Sequence, residues 1–314
     1  MTVQCFLFPG QGSQKLGMGK SFHEVDELVE ALFDEASDIA GFDVADLCFN
    51  GPFEKLTETR YLQPALATVM LGCLTAMEEF DVIPNNVAGH SLGEYVALVS
   101  ARVISRRECL KLVTERGKLM QREAEAHPGT MSAVLRVAEA ELQSIIDQVA
   151  GEDVIIANYN TPEQLVISGS IAGVEKVEGA LKEKGMRFIR LAVSGAWHSR
   201  LMKGAEEEFN AIIDEIDFDD ARIPIMMNVT GMPETEGAAI KELMKRQMCS
   251  GVRWYQGVRQ AWLGGSRKFT ELGPKSTLIK MLNAIVPDPT ALTTYVIDSH
   301  IALNSFVTEE DDEL

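Results

Sequence analysis

Gly89-His90-Ser91-Leu92-Gly93 sets a serine between two glycines, with the apolar Val87-Ala88 before it and Glu94-Tyr95-Val96-Ala97-Leu98-Val99 after it. An apolar strand, a tight turn and a helix in that order make an elbow that presents a serine hydroxyl at a helix N-terminus. The flanking glycines remove the Cβ atoms that would clash there. Ser91 is therefore a candidate nucleophile. The N–H of Leu92, next in the turn, is a candidate donor to the oxyanion that attack on an acyl group creates, where one donor contributes about 2.7 to 4 kcal/mol in the transition state.

A serine at its ordinary pKa is a weak nucleophile and needs a general base. The chain has five histidines: His23, His90, His127, His198 and His300. His23, in a charged first helix, and His127, beside Pro128 in a turn, are expected in solvent. His90 adjoins Ser91 on the turn and is expected to support the elbow. His198 lies in Ser194-Gly195-Ala196-Trp197-His198-Ser199, at a junction between two patterns of elements, where clefts tend to form. His300 is the rival, with Asp288 or Asp298 as acid, because the order serine, acid, histidine is that of a hydrolase triad. On the residues alone both bases stay open.

The elements that must position these residues follow from periodicity. Residues 4–8 form an apolar strand that runs into Pro9-Gly10-Gln11-Gly12-Ser13-Gln14, an enforced loop at the strand's carboxyl end. Helical spacing covers 24–40, 64–80 and 105–125, and its alternation with strand signals predicts a parallel sheet with helices on its faces. From 131 the order becomes strand (131–137), helix (138–150), strand (154–158), strand (164–168), helix (171–184), strand (187–193). That β-α-β-β-α-β order predicts a ferredoxin-like subdomain inserted into the α/β body. The expected division is a body of 1–128 and 194–300, a small subdomain of 129–193 and an acidic, disordered tail of 301–314, where Glu309 to Glu313 carries five like charges.

With 29 basic and 47 acidic residues, the net charge of −18 argues against nucleic-acid and anionic-membrane binding. The start, Met1-Thr2-Val3-Gln4-Cys5-Phe6, lacks a basic region before an apolar stretch, and no run of about 18 apolar residues occurs, so a cytoplasmic protein is expected. The five cysteines are scattered without a Cys-x-x-Cys pair, which predicts free buried thiols rather than disulfides or a zinc site.

Five blocks, Phe8-Pro9-Gly10-Gln11-Gly12-Ser13-Gln14, Gly89-His90-Ser91-Leu92-Gly93-Glu94-Tyr95, Arg116-Gly117-Lys118-Leu119-Met120-Gln121, Asn228-Val229-Thr230-Gly231 and Glu271-Leu272-Gly273-Pro274, together resemble the malonyl-CoA:acyl carrier protein transacylase family. The likeness runs in order from the first strand to about residue 282. It implies an α/β-hydrolase-like body with an inserted ferredoxin-like subdomain. It also implies Ser91 as nucleophile, His198 as base oriented by the backbone carbonyl near Gln247, and the N–H groups of Gln11 and Leu92 as oxyanion donors. Arg116, which read alone on a charged amphipathic helix is a surface residue, becomes the partner of the malonyl carboxylate. Its fixed fork offers two parallel donors. Gln63, Asn158 and Trp197 match further pocket positions, Trp197 where relatives often carry phenylalanine. Gly251 stands where proline is common, so a looser loop near Gln247 is expected.

The implied reaction is ping-pong transfer of malonyl from coenzyme A to the phosphopantetheine thiol of an acyl carrier protein, in fatty acid synthesis. The alternatives are a free-standing transferase for a polyketide synthase and an acyl-thioester hydrolase. No metal and no permanently bound cofactor is expected, phosphopantetheine belonging to the carrier. A monomer is expected. Lys275 and Lys280 are candidates for a basic patch that docks the acidic carrier.

Overall fold

The structure is a computed structural model that describes residues 2–312, and of residues 310–312 the backbone only. Its ten strands are β1 (Val3–Phe8), β2 (Asn86–Gly89), β3 (Gly129–Leu135), β4 (Val154–Thr161), β5 (Gln164–Ser170), β6 (Arg187–Arg190), β7 (Ile225–Met226), β8 (Pro233–Glu234), β9 (Ser266–Leu272) and β10 (Thr293–Ile297). One sheet has the order β10-β9-β1-β2-β7-β8. Its strands are parallel except β8. Covered on both faces, the central β1 is a continuous apolar run, with Cys5, Phe6, Leu7 and Phe8 fully buried. Phe8 is in register with Gly89, so the loops that follow β1 and β2 leave the same sheet edge side by side. In open parallel sheets that carboxyl edge is where sites form.

Two long helices pack together, Thr59–Glu79 and Arg106–Ala126, and the first of them also meets β9 of this sheet. The first begins five residues before Pro64, so Pro64 lies inside the helix, not at its start. This early start places Gln63 within the helix, on the side facing the second. The second opens with a capping box between Ser105 and Glu108. Its buried face includes Cys109, Leu112, Val113, Arg116, Leu119, Met120 and Glu123, a spacing of three and four that puts Arg116 in the interior. Lys118 and Arg122 lie on the outer face, bonded to Glu115 and Glu208.

The second sheet is antiparallel, in the order β4-β5-β3-β6, and packs against helices Glu139–Val149 and Ile171–Glu183. That is the ferredoxin-like arrangement expected from the element order. Strand β6 is shorter than expected and stops at Arg190: after a last bond from the Leu191 N–H to the Met131 carbonyl the chain turns away, and residues 191–194 line a cavity. The loop around Gly251 is tied down: Val252 donates to the Ala157 carbonyl at 2.8 Å and accepts from the Tyr159 N–H at 2.9 Å.

The expectation of a disordered tail from 301 is corrected. Residues His300–Asp312 form a helix, because Leu303 and Phe306 are three apart and both 1% exposed, and Phe306 meets Tyr295 edge-on at 4.8 Å. The acidic run begins only after this anchor, at Glu309, and Glu313 and Leu314 lie outside the described residues. All five cysteines are free, four of them buried. Among the described residues no helix is long and apolar enough to cross a membrane.

Candidate active site

Ser91 leaves the carboxyl end of β2 with φ of 53°, in the left-handed region, and the helix Gly93–Ser100 starts immediately after it. A Cβ at Gly93 would sit 2.0 Å from the Phe8 carbonyl oxygen, and one at Gly10 would sit 2.7 Å from the His90 carbonyl oxygen. Only glycine allows the elbow and the β1 loop to approach this closely. Asn228 pins the turn: its Oδ1 accepts from the Ser91 N–H at 2.7 Å and its Nδ2 donates to the Gly89 carbonyl at 2.6 Å.

The Ser91 hydroxyl lies 2.8 Å from Nε2 of His198. Nδ1 of the same ring is 3.0 Å from the Gln247 carbonyl oxygen, which can only accept, so Nδ1 carries the proton and Nε2 presents its lone pair to Ser91. Burial, then the positive charge of Arg116, push the His198 pKa down to about 3, which leaves the imidazole neutral and able to take a proton. His198 itself has φ of 64°, a strained conformation that aims the ring into the cleft.

Arg116 is 1% exposed. Its Nη1 donates to Gln63 Oε1 at 2.9 Å, and its Nη2 donates to Gln247 Oε1 at 2.9 Å and to Ser91 Oγ at 3.3 Å. The guanidinium carries five N–H groups, and Nε has no acceptor among the described residues. That Nε is closed off from the cavity near the Tyr95 ring, while the Nη2 end stands beside Ser91 Oγ, where an incoming anion would meet it. Behind it, Glu94 is fully buried. Burial raises its carboxyl to about 7 against the opposing pull of the Asn228 and Gln247 hydrogen bonds and the Arg116 charge.

These groups open on a cavity of about 380 Å³ lined by Gln11, Gln63, Ser91, Leu92, Arg116, Asn158, Trp197 and His198, with Met120, Asn160 and residues 191–194. The backbone N–H groups of Gln11 and Leu92 both lack an acceptor among the described residues. Such an arrangement can deprotonate a serine, steady an oxyanion and hold an acyl group bearing a carboxylate. The other histidines lie elsewhere or serve the fold. His300 heads the last helix and pairs with Asn304, while Asp298 bonds to Lys15 and Asp288 caps a short 3-10 turn. His23, expected in solvent, packs against Phe33 and Phe49 at 5.2 and 5.1 Å. His90 faces Asn160, 3.0 Å from its Oδ1.

Residues 5–296 match the family model described as an acyl transferase domain. The chain belongs to the acyl transferase family. A malonyl CoA-acyl carrier protein transacylase of Bacillus subtilis is 41% identical to this acyltransferase over 288 residues, covering 91% of this chain and 72% of that protein. The crystal structure of a malonyl CoA-acyl carrier protein transacylase from Clostridium perfringens superposes with a TM-score of 0.92 at 33% identity, covering 99% of this chain and 98% of that one. A malonyl-transacylase in complex with its type II polyketide synthase carrier protein superposes at 0.91 and 34% identity, covering 98% and 100%.

Of the residues singled out in the sequence of this acyltransferase, Gln11, Gln63, Ser91, Leu92, Arg116, Asn158, Trp197 and His198 meet at one cavity, with the Gln247 backbone behind it. Sequence reasoning assigned nothing to Glu94, Asn228 and Asn160. Glu94 and Asn228 stood within the quoted blocks, and the polar character of Glu94 amid an apolar helix was the signal available. Nothing local marked Asn160.

Proposed function

We propose that this acyltransferase moves a malonyl group from coenzyme A to the phosphopantetheine thiol of an acyl carrier protein, in the cytoplasm and for fatty acid synthesis. The observation that carries the reading is the buried Arg116 fork, which lines the cavity and places Nη2 beside Ser91 Oγ. A simple acyl chain has no use for a buried cation, whereas a carboxylate one methylene away from the thioester carbonyl does.

Ser91 Oγ attacks the thioester carbonyl carbon while its proton passes to His198 Nε2. The N–H groups of Gln11 and Leu92 hold the oxyanion, and the Gln247 carbonyl holds Nδ1–H. Collapse breaks the C–S bond, and the coenzyme A thiolate leaves with the proton from His198. In the second half the phosphopantetheine thiol gives its proton to His198, attacks the malonyl ester, and Ser91 departs with that proton. Gln63, Asn158 and Trp197 would shape the pocket around the acyl group, and the 129–193 subdomain would form its roof. All these groups come from one chain, so a monomer suffices, and no permanently bound cofactor enters the reaction.

Carrier docking has a candidate surface. Lys15, Lys275 and Lys280 line a groove with Thr277, which also lines the main cavity. The decisive experiment mixes malonyl-loaded protein with a holo and an apo carrier. Malonyl moving to the holo carrier alone supports transfer, whereas release to water at the same rate with or without carrier would contradict it and favour a thioester hydrolase.

A further inference from the structure

Arg116 and Glu94 are both buried, at 1% and 0% exposure, yet among the described residues neither touches an opposite charge. One amide lies between them. Gln247 Oε1 accepts from Arg116 Nη2 at 2.9 Å, while Gln247 Nε2 donates to Glu94 Oε2 at 2.8 Å and to the Ser91 carbonyl at 2.8 Å. The other Glu94 oxygen accepts from the Asn228 N–H at 2.7 Å, and Asn228 is the residue that pins the elbow.

An amide can flip, exchanging its oxygen and its nitrogen, unless its neighbours forbid it. Here they do. A guanidinium only donates, which fixes the Arg116 side by itself, and both Glu94 oxygens already accept, from Asn228 N–H and from Gln247 Nε2. A flipped Gln247 would set N–H against N–H at Arg116 and oxygen against oxygen at Glu94. The guanidinium is thereby clamped on two sides, by Gln63 at Nη1 and Gln247 at Nη2.

We propose that Glu94 is a positioning residue that sets selectivity for dicarboxylic acyl groups by locking the Gln247 amide, and through it the orientation of Arg116. The proposal rests on the reading of Arg116 as the carboxylate partner. The Glu94 carboxyl bonds to Asn228 and Gln247, not to Ser91 Oγ, and Glu94 does not line the cavity. The His198-orienting carbonyl belongs to the Gln247 backbone, so a change to the Gln247 side chain leaves that bond available.

Glu94→Gln is the direct test. Glutamine offers one oxygen for two donors, Asn228 N–H and Gln247 Nε2, so its own amide nitrogen must face one of them. Pre-steady-state loading of Ser91 is measured with malonyl-CoA and acetyl-CoA in the wild type, Glu94→Gln, Gln247→Ala and the double variant. The malonyl-to-acetyl ratio of kcat/KM is expected to fall about tenfold or more in each single variant. The double variant should lose little beyond the larger single loss, because the two residues act in series. Should Glu94→Gln not fold, Glu94→Asp keeps the carboxylate but cannot span both donors, and carries the same expectation. A general loosening of the fold would lower both substrates together. A ratio within about threefold of wild type, whatever the absolute rates, would overturn the role of Glu94. Failure of the wild type to load malonyl at all would overturn the underlying reading of Arg116 instead.

Discussion

Ser91 Oγ stands 2.8 Å from Nε2 of His198, and the far nitrogen of that imidazole is held by the neutral carbonyl of Gln247, not by a carboxylate. A carbonyl fixes the tautomer and the ring plane as an aspartate would, but it adds no negative charge to favour the imidazolium. With Arg116 nearby, the ring is kept strongly neutral.

The first prediction concerns that neutrality. His198 should show no titration near the ordinary 6.5 and should stay neutral down to about pH 5. The sign follows from the depressed pKa: the proton binds only well below the usual range. Imidazole NMR signals followed against pH, with the His198 resonance assigned by its loss in His198→Gln, check it.

Arg116→Lys should fail almost as fully as Arg116→Ala. A lysine keeps the charge but loses the fork, and cannot replace bonds to Gln63, Gln247 and an incoming carboxylate together. The expected loss in kcat/KM for malonyl-CoA is about 10²-fold, with a much smaller loss for acetyl-CoA. Single-turnover loading of both donors reads the difference.

Gly93→Ala should damage the elbow rather than the chemistry in isolation. Its Cβ would lie 2.0 Å from the Phe8 carbonyl oxygen, a backbone atom of the central strand. A stability loss of about 1–3 kcal/mol or more is expected in urea unfolding, together with loss of Ser91 loading.

Glu271, at the end of β9, holds the far wall of the cavity. Its carboxyl accepts from the Thr277, Leu278 and Ile279 N–H groups, each at 2.9 Å, and Thr277 and Leu278 line the cavity. Glu271→Gln turns an N–H donor toward one of those donors and should cost about 1–3 kcal/mol. Burial raises the Glu271 pKa from 4.5 to about 7, so the folded state holds this proton more tightly than the unfolded chain. The resulting stability is fully present below 4.5 and is lost as pH rises through about 7. This group's contribution to the wild type's own stability should therefore fall between about pH 5 and about pH 8, as urea midpoints would show.

What was legible in the sequence was what local chemistry encodes. Glycines around Ser91, the apolar run of β1 and the turn residues after it announce the elbow and its facing loop. The strand and helix order from residue 131 announces the small subdomain. Arg116 was disguised by its charged neighbours, although its register with Cys109, Leu112, Val113 and Met120 already put it on the inner face. The Glu94, Gln247 and Asn228 network joins residues more than a hundred positions apart, and no local pattern carries such contacts. The acidic end misled because its charges drew attention from Leu303 and Phe306, the two side chains that dock the helix.

Intact-mass and peptide mass spectrometry of the protein after brief exposure to malonyl-CoA, without any carrier, tests the acyl-serine route at its first step. A single malonyl adduct on Ser91 is expected, persisting until a phosphopantetheine thiol is supplied, absent in Ser91→Ala and strongly slowed in His198→Ala. An adduct on another residue, or full loading of Ser91→Ala, would contradict it.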